Sequence, residues 1–305
     1  MAASTVKSIA SLLFRGSACS KSLYGPGRAA PALIQRWQST ATSTKQNSSP
    51  LDQASRQKAN YEARVELAAA YRAVDLHGLG EGVCNHLTMR APARDREGDV
   101  MLVVPYGLQW GQVTASSLVG VDFETGEKVE GEGVALQTAV CIHVPIHRMR
   151  YEMDGTTAVM HTHQPYVLAL ACLDEPAPFD ETMCQNSMRF AGKIAYDWVY
   201  ETLAYAMDEG ERLGKALGDK EVLIMGQHGV LTVGRRVCDA FDALYYLERA
   251  AKVQVLARSM GAKTRSAPPS VVKYVSEHDC YPYNAINHLE SIKKLIANEE
   301  PNFRE

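Results

Sequence analysis

The sequence predicts an α/β domain, and three observations carry the prediction. Short apolar runs rich in β-branched residues alternate with longer stretches whose apolar residues recur every three to four positions. Neither an internal repeat nor a dinucleotide-type glycine fingerprint interrupts that alternation. Beyond a compositionally distinct first 50 residues, about 255 remain, enough to bury one large core as a single domain.

The elements follow in chain order. A helix is expected over "SSPLDQASRQKANYEARVELAAAYRAVDLHGL", with Ser49 as cap, Pro50 in the first turn and Asp52 facing the positive helix end. Val65, Ala69, Ala73 and Leu76 share one face, and Gly78 and Gly80 stop the helix. "GVCNHLTMRAP" and "DVMLVVPYG" read as two strands joined by the polar turn "ARDREG". Within "TASSLVGVDFETGEKVEGEG", "ETGEK" predicts a hairpin. "LQTAVCIHVPIHRMRYEM" reads as a helix, with Pro145 a kink or an early-turn residue, and "TTAVMHTH" as a buried strand. A helical stretch is expected to occupy much of the span 186–217, "NSMRFAGKIAYDWVYETLAYAMDEGERLGKAL". "EVLIMGQHGVLTVG" predicts two short strands meeting at Gly229. Val237, Phe241, Leu244, Leu247, Ala251 and Val255 then space a long helix. From residue 263 ("KTRSAPPS") the chain reads as an irregular extension draped over the surface or a neighbour.

The first 50 residues have a different character. They contain no Asp or Glu, carry Lys7, Arg15, Lys21, Arg28, Arg36 and Lys45, and are rich in Ser and Ala. Val6, Ile9, Leu12 and Leu13 fall on one helical face, with Lys7 and Arg15 outside it. Residues 1–45 are therefore expected to be a mitochondrial presequence directing the chain to the matrix, followed by a domain over 46–262 and the extension over 263–305. The leader's apolar run is too short and interrupted for a membrane span. Residues 51–305 hold 26 basic against 35 acidic side chains, a net of −9 with histidine neutral, which argues against nucleic acid as a partner. The seven cysteines show neither CxxC pairing nor framework spacing, as expected of reduced thiols packed as small hydrophobes.

The chemistry concentrates in "AVMHTHQPY", residues 158–166. Side chains two apart on a strand share a face, so His161 and His163 project together, able to reach one divalent ion at about 2.0–2.1 Å. His228 follows a second apolar strand in "LIMGQHGVL". Two strand ends side by side would complete a three-histidine face with a position left for substrate, as in catalytic rather than structural metal sites.

Several segments together resemble the class II aldolase/adducin head-domain family: "GVCNHLTMR", "VPYGLQWGQVTASSLVGVD", the helix and strand bearing "IHVPIHRMR" and "AVMHTH", and "MGQHGVLTVGRRVCDAFDALYYLERAAKVQ". They occur in the family's order and span roughly residues 58–260. The resemblance implies a three-layer α/β/α domain with a central, largely antiparallel sheet, assembled as a homo-oligomer, commonly a tetramer. It implies a divalent ion, zinc or alternatively Fe(II), on the positions matching His161, His163 and His228. It also implies a substrate pocket lined by Asn85, Gly107, Ser116 and Ser117.

The implied activity is that of a lyase on a small oxygenated substrate, cleaving a carbon–carbon bond or removing carbon dioxide through a metal-stabilised enolate. The sequence departs from the pattern at the proton carrier. The family's glutamate stands four residues before the histidine matching His143, where this chain has Ala139. Tyr166, Tyr106 and His143 are candidate replacements. The missing acid also opens the alternative of an adducin-like, non-catalytic binding module.

Overall fold

A computed structural model describes residues 52–199, 206–278 and 281–305. The expected presequence, Ser49 and Pro50 lie outside those residues. Among the described residues, the helices are α1 (Gln53–Leu76), α2 (Gln137–Asp154), α3 (Pro165–Ala171), α4 (Gln185–Met188), α5 (Met207–Leu217), α6 (Val237–Ser259), α7 (Pro269–Ser276) and α8 (Tyr281–Glu299). The strands are β1 (His86–Pro92), β2 (Asp99–Val103), β3 (Val119–Asp122), β4 (Lys128–Glu130), β5 (Ala158–Thr162), β6 (Ile194–Asp197), β7 (Val222–Met225) and β8 (Gly229–Gly234).

The eight strands form one sheet in the order β4-β3-β2-β1-β5-β8-β7-β6. Every pairing is antiparallel except β6 with β7, which is parallel. Strand alternation sorts its side chains between two helical layers. Val100, Leu102, Met160, Ile224 and Val230 join α1, α3, α6 and α8 in the largest apolar cluster. Met101, Val103, Val159, Leu223 and Leu231 point the other way, into the clusters formed with α2 and α5. The result is the three-layer α/β/α arrangement that the resemblance implied.

Helix α1 begins at Gln53, where the Asp52 side chain caps it by accepting the Ser55 amide at 2.7 Å. Its buried stripe includes Leu67, Ala70, Tyr71 and Val74, whereas Leu76, expected on that face, is exposed. The buried Tyr71 hydroxyl ties the helix to the sheet. It donates to the Leu87 carbonyl at 2.5 Å and accepts the amides of Leu87 and Val104.

Two expectations are corrected. The span 186–217 is not one helix: α4 ends early, Gly192 adopts a left-handed φ of 74°, and Ile194–Asp197 becomes strand β6. The free edge of β7 claims that segment, aligning Ile194 with Val222 through Asp197 with Met225. A tertiary pairing thus overrides local helical spacing. The chain beyond 263 is not irregular either. Ala285, Leu289, Ile292 and Ile296 on α8 are buried in the main cluster, as is Phe303 in the terminal 3₁₀ turn Pro301–Arg304. Among the described residues, no helix is long and apolar enough to cross a membrane.

Candidate metal centre

The site sits where β1, β5 and the β7–β8 turn meet. Val159 points toward α2 and α5, so His161, two residues on, does the same at the end of β5. His163 follows directly after the strand, and His228 comes from the turn before β8. That turn needs glycine at 229: a Cβ there would lie 2.6 Å from the Thr162 carbonyl oxygen and 2.8 Å from the His163 ring. The close approach brings His228 beside His163. Ring centroids are 4.9 Å apart for His161 and His163, 4.8 Å for His161 and His228, and 5.1 Å for His163 and His228. One nitrogen from each ring lies within 4.8 Å of the others.

The hydrogen bonds fix which nitrogens face inward. His161 Nδ1 lies 3.0 Å from the Val230 carbonyl and His163 Nδ1 lies 2.5 Å from Glu81 Oε2. Both partners can only accept, so each Nδ1 carries the proton. The two Nε2 atoms then face one another at 3.1 Å. Donors sharing one ion at about 2.0–2.1 Å stand roughly 3–3.5 Å apart. Burial, reinforced by neighbouring His86 and His228, holds His161 well below the usual histidine range, while burial draws His228 down to about 4. These residues therefore fit a divalent cation: three imidazoles converging, with carbonyl and carboxylate support behind two of them.

The histidines open on a cavity of about 260 Å³ that Asn85, His86, Tyr106 and Thr138 also line. Asn85 adopts a left-handed φ of 70°, and its Oδ1 accepts the His163 amide at 3.1 Å. Its buried Nδ2 has no partner among the described residues. Arg212, also on the lining, makes paired 2.8 Å bonds to Asp197 and to Glu209. Behind the site, a polar spine runs between β1 and α2. His86 Nδ1 lies 2.8 Å from His143 Nε2; Thr88 Oγ1 lies 2.7 Å from His143 Nδ1 and 2.8 Å from His147 Nε2. Burial lowers the pKa of all three histidines, that of His147 to about 3.

Of the residues singled out in the sequence, His161, His163, His228, Asn85 and Tyr106 come together at the cavity. The others stand elsewhere. Gly107 turns the chain after β2 with a φ of 93°, outside the lining. Ser117 Oγ is engaged with Thr114, and the Ser116 amide donates to the Glu305 carbonyl at 2.6 Å, so both serve a turn that anchors the C-terminus. His143 is fully buried and reaches the cavity only through His86. Tyr166 packs against the main core on α3, with Lys252 over its ring. Ala139 lies in an apolar cluster, so its side chain supplies no carboxylate. Glu81, His86 and Thr138 were not anticipated. The alternation His86, Thr88, Arg90 along an otherwise apolar strand was the available signal for a polar inner face.

The family described as Class II Aldolase and Adducin N-terminal domain matches residues 65–255. The chain belongs to the class II aldolase and adducin family. An aldolase II superfamily protein from Pseudomonas syringae superposes with a TM-score of 0.72 at 31% identity, over 81% of this chain and 96% of that one. L-fuculose 1-phosphate aldolase from Glaciozyma antarctica shares the fold at a TM-score of 0.69 and 24% identity, over 88% and 99% of the two chains. Alpha-adducin of Rattus norvegicus is 33% identical over 201 residues, which make up 63% of this chain and only 25% of that protein. This class II aldolase and adducin domain is thus similar both to an aldolase II superfamily protein of about its own length and to a quarter of a much longer protein.

Proposed function

We propose that this protein is a divalent-metal-dependent lyase of the class II aldolase type, cleaving a carbon–carbon bond or decarboxylating a small oxygenated substrate. The observation that carries the reading is the 3.1 Å approach of the Nε2 atoms of His161 and His163, beside His228, with one nitrogen of each ring able to reach a shared ion. Zinc matches three imidazoles best, with Fe(II) second. A bound ion of this kind supplies Lewis-acid stabilisation of negative charge developing on a substrate oxygen.

The chain's own residues supply the rest. Glu81 and the Val230 carbonyl hold the rings in the ligating tautomer. Asn85 anchors the His163 backbone and keeps an amide N–H for substrate. The bridged Arg212, Asp197 and Glu209 line the same cavity. With Ala139 in apolar packing, proton transfer falls to a residue on the cavity lining, and Tyr106 is the titratable candidate of the three that reaches it. The acid-free leader supports import into the mitochondrial matrix, and family likeness supports a homo-oligomer, commonly a tetramer.

Metal analysis of the purified full chain tests this reading. We expect one divalent ion per chain, lost in His161→Ala together with turnover. A chain without stoichiometric metal, whose melting temperature is indifferent to chelator, would overturn it. The alanine at position 139 favours a second reading, an adducin-like binding module. In that case His161→Ala would leave partner binding intact and no lyase activity would be found with hydroxy- or keto-acids.

A further inference from the structure

The corner that carries two of the three histidines is held from outside the site. β5 ends at Thr162, His163 and Gln164 follow, and α3 begins at Pro165. A helix start leaves its first amides without intrahelical acceptors, and the cap residue's side chain ordinarily takes one of them. Gln164, the cap here, makes no such bond, and Pro165 has no N–H to satisfy. Glu248, on α6 and 82 positions beyond Tyr166, meets the next two amides instead. Its Oε1 accepts the Tyr166 amide and its Oε2 the Val167 amide, each at 3.0 Å. Among the described residues these are the only hydrogen bonds of a carboxylate that is buried in the core.

Burying a carboxylate is costly, and a fold keeps one where its oxygens are met. Burial raises the pKa of Glu248, opposed by the two amides and by Lys252. The helix behind it is firmly seated. Leu244, Leu247 and Ala251 have no exposed surface, and Gln254 binds the Asp180 amide at 2.8 Å and its carbonyl at 2.9 Å. The far side of the corner is equally tight, for the Gly229 backbone packs against the Thr162 carbonyl and the His163 ring. Metal ligation tolerates errors of only about 0.2 Å in donor distance, so a small drift of this corner takes His163 out of reach. We infer that Glu248 is a positioning residue for the metal centre: it clamps the first turn of α3 to α6 and so sets the backbone that presents His163 to a cation shared with His161 and His228. Glu248 itself touches neither ion nor substrate. The inference deepens the lyase reading and rests on its cation, whereas the clamp exists without one.

Zinc titration of the full chain against a chromophoric chelator tests the inference, paired with urea unfolding in chelator and with hydrogen exchange at the Tyr166 and Val167 amides. Glu248→Gln keeps the shape of the side chain but sets an N–H against one of the two amides. It is expected to bind zinc about 10-fold more weakly than the wild type and to exchange faster at those amides. Glu248→Asp, which keeps the acceptors but not the reach, should lose less, and decides the matter should the glutamine variant not fold. Phe303→Ala, destabilised in the C-terminal segment, is the control: it should unfold more readily in urea yet keep the wild-type zinc affinity. Zinc affinity unchanged by substitution of Glu248, or weakened no more than in Phe303→Ala, overturns the proposal and leaves Glu248 a purely structural cap. A wild type that itself binds no zinc is a different failure: the metal reading falls first and the positioning role falls with it, while exchange at Tyr166 and Val167 still reports the clamp.

Discussion

Acid should unfold this protein through its buried histidines, and His147 gives the magnitude. In the unfolded chain an imidazole takes up its proton near pH 6.5. In the fold His147 is fully buried, and burial, with the charge of Arg90 as the smaller cause, depresses its pKa to about 3. Above pH 6.5 the ring is neutral in both states and the linkage contributes nothing. Below it only the unfolded chain binds the proton, so stability is lost as pH falls from 6.5 toward 3, by about 1.4 kcal/mol per unit. Between pH 7.5 and 5.0 the loss from His147 alone is about 2 kcal/mol. That figure requires only that the folded pKa lie below 5. His143, held well below the usual range by the same burial, adds in the same direction. The assay is urea unfolding at both pH values, in chelator so that metal release does not contribute, for the wild type and His147→Gln. Glutamine keeps an N–H for Thr88 but does not titrate. The wild type should lose about 2 kcal/mol more than the variant across that interval. Parallel losses would refute a ring held neutral by burial.

Three further outcomes follow from packing and from the site. Gly210→Ala should lower stability by about 1–3 kcal/mol in thermal denaturation. Its Cβ would stand 2.1 Å from the Cys141 carbonyl oxygen and 2.9 Å from Pro145, forcing α5 off α2. Phe303→Ala should cost about 3–5 kcal/mol in urea unfolding, because a ring with no exposed surface leaves a cavity; a negligible loss would return the C-terminal segment to the role of a surface drape. Glu81→Gln should weaken zinc binding about 10–100-fold in competition with a chromophoric chelator, since it removes the charge behind His163 Nδ1; an unchanged affinity would detach Glu81 from the site.

What the sequence disclosed was set by the range of the interaction involved. Strands β1, β2, β5 and β8 and helices α2 and α6 announce themselves because burial of one face imposes a period on local sequence. His161 and His163 are legible for the same reason, two residues apart on one strand. β6 was hidden because its pairing partner, β7, lies some 28 residues downstream, and "KIAYDWV" alone cannot register an open sheet edge. The α8 stripe of Ala285, Leu289, Ile292 and Ile296 has helical spacing, but the adjoining Pro-rich segment obscured it. Glu81 was illegible for another reason: its importance comes from one contact with a ring 82 positions away.

The two functional readings ask different things of the same residues. A binding module that had abandoned turnover would need the apolar clusters and the sheet, but not two imidazole Nε2 atoms set against each other at 3.1 Å beside a third histidine. Nor would it need an unpartnered buried amide on Asn85, since a buried polar group without a partner costs about 1–3 kcal/mol. Such costs persist where a ligand removes them, and relax into apolar packing where none does. Ala139 sits in an apolar cluster, off the cavity lining. The lining itself keeps a buried amide, on Asn85, without a partner among the described residues. That asymmetry argues for chemistry rerouted through other side chains rather than lost, and it makes the cavity lining, not position 139, the place to look for the proton carrier.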